Sequence, residues 1–371
     1  MTEPLRQAVG SSMVVGISGA EFTGLERAWL KLIRPAGVIL FQRSIVNAEQ
    51  TRALLAQVTE HCAPNSLRCV DVEGGTVDRL RDALAPMPSA QAVFAAAQAA
   101  GKPRLMREHG ELVARAVTAF GFNTTLAPVL DLELPASAGV MGTRVVSADP
   151  KAVAAYCWQF LSGLAAHKVM GCGKHFPGLG GGTLDSHLET PSIDRTMREL
   201  TNDDLYPYCE LRDKLPMIMV SHAAYPKTPG GNRPASVSPY WITTILRKRI
   251  GYRGLIFSDD LEMGGVLKFL SIEEAAIEAI RAGMDLIEIC HSPELILRAY
   301  EALIAEAERS KAFRTMLLKR SRQSGRLRAH YSRRPGPPAL SARQFAALRD
   351  EINRFATTVD ASQPEAKGEP K

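Results

Sequence analysis

Short apolar runs alternate with longer stretches of helical spacing along most of the chain. The runs "SSMVVGISG" (11–19), "GVILF" (37–41), "LRCVDVEGG" (67–75) and "NTTLAPVLDLEL" (123–134) predict four strands. "VMGCGKHF" (169–176), "PMIMVSHAAYP" (216–226), "GLIFSDDLEM" (254–263) and "MDLIEIC" (284–290) predict four more. Between them lie helical patterns at 24–36, 47–62, an Ala-rich region to about 120, 149–168, 238–250, 271–283 and 292–310. Asn47 is a ready N-cap for the helix at 47–62. Strands that are apolar throughout, rather than alternating, are strands buried on both faces. Eight strand–helix beats of this kind close into a single-domain (β/α)8 barrel. An open doubly wound sheet is the alternative, but it expects a G-x-G-x-x-G turn after its first strand, and "GISGAEFTG" does not fit.

The barrel is expected over 1–310, with a basic helical extension over 311–356 and a polar, disordered tail over 357–371. A Pro-rich break, "RRPGPPALS", divides the extension. The composition, 46% hydrophobic and 23% charged, is ordinary for a globular chain. The net charge of +6 is concentrated in C-terminal runs such as "LRKRI" and "LLKRSRQSGRLRAH". These read as solvated helix faces; no motif for nucleic acid accompanies them. Six cysteines form no C-x-x-C pair and sit mostly in apolar context, which argues for buried thiols in a reducing compartment. The N-terminus shows no apolar signal region and no run is long enough to span a membrane, so a cytoplasmic location without membrane attachment is expected.

In a barrel of this type, chemistry sits at the C-terminal ends of the strands. Six predicted strands end in polar groups: Asp71 with Glu73 and Arg79; Asp131, followed by Arg144; Lys174 and His175; Ser221 and His222; Ser258, Asp259 and Asp260; and Glu288, Cys290 and His291. Any one of them could be a structural ion pair or a cap, as Asp131 and Asp260 could be, or a core histidine, as His222 could be. The set carries more weight than its members, because charge at the end of an apolar strand is costly unless paired or used.

The fifth strand runs into "KHFPGLGGGTLDSH" (174–187), whose four glycines precede Asp-Ser-His. Together with "DVEGG", "LAPVLD" and "FSDDLEM", this stretch resembles glycoside hydrolase family 3, and in particular its single-domain bacterial β-N-acetylhexosaminidases. The match runs in order over roughly residues 12 to 300, and the lysine-to-histidine spacing of 13, from 174 to 187, is the family's own.

The resemblance implies a retaining exo-glycosidase for terminal β-linked N-acetylglucosamine. It assigns Asp259 as nucleophile and His187 as proton donor, with Asp185 orienting the imidazole. Asp260 is the competing nucleophile, but successive strand residues face opposite sides, so only one of the two meets the sugar. It also implies that Asp71, Arg79, Arg144, Lys174 and His175 hold the sugar, and that Met263 lines the N-acetyl pocket. No metal or organic cofactor follows from it, the partner is a carbohydrate or muropeptide, and a monomer is expected.

The chain departs from the family pattern at Leu179, Val72 and Thr76, where the family favours histidine, glutamine and arginine. Neither these changes nor the "GGGTL" loop touch Asp185 or His187. A family 3 β-glucosidase or phosphorylase, a Schiff-base aldolase built on Lys174, and a barrel that binds muropeptides without turnover are the competing readings. Family 3 glucosidases draw their acid/base from a second domain, for which this chain has no room.

Overall fold

A computed structural model describes residues 3–182, 190–332 and 338–362. The strands are β1 (Met13–Gly16), β2 (Gly37–Ile39), β3 (Leu67–Val70), β4 (Val72–Gly74), β5 (Val77–Asp78), β6 (Thr124–Thr125), β7 (Met170–Phe176), β8 (Met217–Val220), β9 (Leu255–Asp260) and β10 (Leu286–Ile289). Eight of them close a barrel in the order β1-β10-β9-β8-β7-β6-β3-β2, while β4 and β5 form a separate hairpin. All eight barrel pairings are parallel. The expected (β/α)8 architecture is what the chain adopts.

The uninterrupted apolar runs have a simple cause. Along β8, Met217 and Met219 point into the barrel lumen, where they meet Cys172, Phe257 and Leu286. Ile218 and Val220 point outward, into the layer shared with the helices. Both sets are buried, so the period of two is present in space but hidden in the sequence. The helices start where side chains satisfy their free N–H groups. Thr23 with Glu26 and Ser271 with Glu274 form capping boxes, and the Asn47 side chain accepts from Gln50 N–H. The helices Arg104–Ala119 and Pro150–Ala166 approach closely at two glycines. A Cβ at Gly110 would lie 2.2 Å from the Phe160 carbonyl oxygen.

Three sequence expectations need correction. The run 67–75 is not one strand: it breaks at Asp71, and Val72–Gly74 folds back against Val77–Asp78. Gly74 and Gly75, at φ 93° and 62°, make that turn, a conformation that L side chains rarely adopt. Of the run 123–134, only Thr124–Thr125 joins the ladder as a strand. Beyond them Pro128 has no N–H to offer, and the segment stays bonded to β7 irregularly, its Ala127 and Pro128 carbonyls accepting from Cys172 and Lys174 N–H at 2.8 and 3.1 Å and Leu130 N–H donating to the Lys174 carbonyl at 2.6 Å. The final helix, expected to end at 356, continues to Ala361. Its buried stripe of Leu348, Ile352, Phe355 and Val359 keeps helical spacing through the supposed tail. Phe313 and Leu317 of the preceding helix, Lys311–Ser332, join the same hydrophobic core as the barrel helices.

Candidate active site

The C-terminal ends of the strands carry a polar cup. On β9, Leu255 and Phe257 face the lumen; the strand then bulges, with Phe257 to Asp260 set against only Leu286 to Glu288 of β10, and Asp259 comes within electrostatic reach of His175, His222 and Lys174. Burial pushes Asp259 up, but the imidazoles of His175 and His222, the Lys174 ammonium and the Asp260 N–H pull it further the other way. The net position is below the ordinary aspartate value, a half-buried carboxylate held ionised. Its neighbour Asp260, in register with Glu288, accepts from Glu262 N–H at 3.1 Å. Burial, with Glu262 and Asp259 adding like charge, lifts Asp260 to about 7. Two adjacent aspartates are thus separated in protonation by the groups each one faces.

The hairpin after β3 supplies Asp71 and Glu73. Lys174 Nζ donates to Asp71 Oδ1 at 2.8 Å and to Glu73 Oε1 at 2.6 Å. Arg144 binds Glu73 in bidentate fashion, Nε to Oε2 and Nη2 to Oε1, both at 2.8 Å. The Glu73 side chain is 3% exposed and that of Lys174 4%. Burial alone would push Glu73 up, yet Arg144 and Lys174 together hold it far below the usual glutamate range. Burial likewise opposes the charge on Lys174, and Asp71 and Glu73 more than restore it. Both cations are therefore tied down before any ligand arrives, which preorganises them.

Asp131 organises the next strand. Its Oδ2 accepts from His175 Nδ1 at 2.7 Å and from His175 N–H at 3.2 Å, and its Oδ1 accepts from Leu179 N–H at 2.7 Å. A carboxylate only accepts, so His175 carries its proton on Nδ1 and turns Nε2 toward Arg144, 3.5 Å away. The glycine run begins here. Gly178, at φ 141°, packs against Asp204, and a Cβ there would lie 2.8 Å from the Asp204 side chain. Tyr225 OH donates to the Gly178 carbonyl at 2.8 Å. On the far side of residues 183–189, Thr190 Oγ1 donates to the Gly265 carbonyl at 2.6 Å, just past β9.

The structure brings Asp71, Arg144, Lys174 and His175 into one bonded network, with Asp259 in electrostatic reach of Lys174 and His175. Arg79 sits at the rim, 6.0 Å from the Phe41 ring, and its buried Nε has no hydrogen-bond partner among the described residues. Met263 is buried at the start of the short helix that follows β9. Asp185 and His187 lie outside the described residues.

Sequence reasoning left Glu73 without a role, although it is the hub of the network. Its signal was a glutamate beside a double glycine, which marks a turn. Asp131, read as a possible structural ion pair or cap, is both: it pairs with His175 and holds the backbone at the root of the loop. His222 is fully buried, accepting at Nδ1 from Ser236 Oγ at 2.7 Å and donating from Nε2 to the Asp260 carbonyl at 2.9 Å. Among the described residues, Asp260, Glu262 and His291 are the one group whose donor atoms, within 4.8 Å of one another, could hold a metal ion. Glu262 already accepts from the N–H groups of His291 and Ser292, at 2.5 and 2.7 Å.

A half-buried ionised carboxylate at a strand tip, with cations and hydrogen-bonding groups about it at the C-terminal mouth of a parallel barrel, is an arrangement a glycosidase can use. The comparisons with known proteins agree with that class. The glycosyl hydrolase family 3 N-terminal domain matches residues 7–317. A β-hexosaminidase of Chromobacterium violaceum is 35% identical over 352 residues, 94% of this chain and 95% of that protein. The structure of a family 3 β-N-acetylglucosaminidase from Paenibacillus superposes with a TM-score of 0.84 at 28% identity, over 96% of this chain and 69% of that one. NagZ from Neisseria gonorrhoeae, solved in complex with N-trifluoroacetyl-D-glucosamine, superposes with a TM-score of 0.75 at 28% identity, over 96% of this chain and 98% of that one. The chain belongs to glycosyl hydrolase family 3, as an enzyme of the β-N-acetylhexosaminidase kind.

Proposed function

We propose that the enzyme removes terminal β-linked N-acetylglucosamine from peptidoglycan-derived muropeptides, with retention of configuration. Asp259 attacks the anomeric carbon as the glycosidic C–O bond breaks, and the departing oxygen takes a proton from the imidazolium of His187. A water then gives that proton back to the imidazole as it attacks the anomeric carbon, and the ester to Asp259 breaks. Asp185 orients the His187 ring and favours its charged form. Asp71, Lys174, His175, Arg144 and Arg79 grip the sugar hydroxyls, and Met263 borders the N-acetyl methyl.

The observation that carries this reading is the ionised, half-buried Asp259 beside a cation network fixed in advance. Two further facts support it. The anchors on either side of residues 183–189, Leu179 on Asp131 and Thr190 on Gly265, both sit at the catalytic mouth. The Neisseria protein takes an N-acylated glucosamine. The reading extends to a monomer in a reducing, cytoplasmic setting; six free cysteines, five of them buried, support the reducing compartment, and no helix among the described residues is long and apolar enough to cross a membrane.

The test is turnover of p-nitrophenyl β-N-acetylglucosaminide and of a GlcNAc–anhydro-muramyl peptide by wild type, Asp259→Ala and His187→Ala. Asp259→Ala should be nearly inactive on both. His187→Ala should lose far more on the peptide, whose leaving group needs a proton, than on the nitrophenyl sugar. Full rates in both variants would overturn the assignment, and a rate that required phosphate would replace hydrolysis by phosphorolysis.

A further inference from the structure

At the opposite end of the barrel lies a cleft of about 770 Å³ between the 247–253 turn and the helix Lys311–Ser332. Arg253 stands just before β9 and Asp285 just before β10, so this is the face where strands begin. The helix carries seven Lys and Arg residues and no Asp or Glu. Its apolar side, with Phe313 and Leu317, is bound into the core, which fixes the charged side in place.

Five cations line the cleft: Arg247, Lys248, Arg253, Lys319 and Arg320. No acidic residue lines it among the described residues. The nearest carboxylate, that of Asp285, is fully buried behind them and takes both Arg247 and Arg320, the latter at 3.4 Å. It also accepts from Ile256 N–H at 2.9 Å, so its capacity is largely used. Arg247 is held further by the carbonyls of Tyr252 and Gly254, at 3.0 and 2.7 Å. Lys248, Arg253 and Lys319 make no ion pair or hydrogen bond among the described residues. Arg320 Nε is buried and donates to nothing described. Five positive charges against one negative leave a local surplus, and a buried N–H without an acceptor is costly to maintain. Burial, with Arg247 beside it, pulls the Arg320 guanidinium below its ordinary value despite Asp285.

We infer that this cleft is a second ligand site, remote from the sugar site, that binds a multiply charged phosphate. Fixed guanidinium groups and mobile ammonium groups together suit phosphate oxygens, which accept several hydrogen bonds at once. The ligand class follows from the lining. A single-stranded nucleic acid would want exposed aromatic faces to stack on, and Tyr252, the cleft's one aromatic residue, is 2% exposed. A bilayer would want a broad convex face, and this is a concavity. A free pyrophosphate or the diphosphate of a nucleotide fits the size and charge.

The experiment is calorimetric titration of the full-length protein with inorganic pyrophosphate, and in parallel with a nucleoside diphosphate, at constant ionic strength. Wild type should bind one equivalent of pyrophosphate. Lys319→Glu and Arg253→Ala should each weaken binding at least tenfold while leaving melting temperature and turnover of the nitrophenyl sugar unchanged. Tighter binding of the nucleotide would assign the occupant as a nucleotide, and equal or weaker binding as the bare phosphate; either supports the site. No heat of binding at matched ionic strength, or binding that both substitutions leave intact, would overturn it. Because the readout is binding and not sugar cleavage, it stands or falls apart from the function proposed above.

Discussion

Replacing Glu73 with glutamine removes one charge and almost no volume from the network beneath the sugar. Glu73 accepts three hydrogen bonds, two from Arg144 and one from Lys174, with a side chain 3% exposed. The best glutamine rotamer keeps its carbonyl oxygen toward Lys174 Nζ and Arg144 Nη2 and turns its NH₂ toward Arg144 Nε, donor against donor. One charge-assisted bond is lost, and buried Lys174 and half-buried Arg144 are left with Asp71 and Asp131 as their near carboxylates, a cost of about 3 kcal/mol. For a chain of this length, about 2 °C per kcal/mol applies, so the melting temperature should fall by roughly 5 °C. Arg144 and Lys174 also lose their common anchor. A displacement of about 1 Å is enough to cost roughly 100-fold in kcat/KM on the nitrophenyl sugar.

The pH dependence gives an independent check. Glu73 is held far below its ordinary 4.5 in the folded protein. Its stabilising charge is therefore fully present above the unfolded value and fades as pH drops toward the folded one. The stability gap between wild type and Glu73→Gln, measured by urea denaturation, should stay flat from about pH 8 to 5.5 and narrow below that. A variant that melts with wild type and keeps its kcat/KM would refute the role of Glu73 as anchor.

Two other substitutions follow from the packing. Burial lifts Asp204 to about 7 against the pull of Arg195, and neither of its carboxylate oxygens has a hydrogen-bond partner among the described residues. With the folded value raised, the proton stabilises the fold at low pH and that benefit is lost as pH climbs through 7; between pH 5 and 8 wild type should lose about 3 kcal/mol more than Asp204→Asn, Asp260 contributing alike to both. Parallel denaturation curves across that range would contradict it. Gly110→Ala would place a methyl 2.2 Å from the Phe160 carbonyl oxygen and force the two helices apart; about 1–3 kcal/mol of stability should go, read as a lower urea midpoint, with sugar turnover unchanged, whereas an unmoved midpoint would mean the helices part at no cost.

The barrel was legible because its strands are apolar on both sides and its helices are not, a contrast that survives in one dimension. The ends of β7 and β9 were legible for the opposite reason: Lys174, His175 and Asp259 interrupt apolar runs where nothing about folding asks for them. Glu73 was hidden because its partners, Arg144 and Lys174, lie far along the chain and meet it only once the hairpin of β4 and β5 folds back. The last turn of the C-terminal helix was hidden because "TTVDAS" looks like a polar tail until Val359 is seen in register with Phe355. The cleft between the 247–253 turn and the basic helix could not be read at all, since surplus charge is a property of an arrangement and the sequence shows only its ingredients.

Asp131 spends one oxygen on the imidazole of His175 and the other on the backbone of Leu179. The rigid floor of the cup and the root of the glycine run are thereby wired to a single group. Strain felt at either end has no intermediate side chain in which to dissipate. Grip on the ring and posture of the glycine run should rise and fall as one quantity, so an enzyme evolving toward a bulkier leaving group would find the two hard to adjust separately.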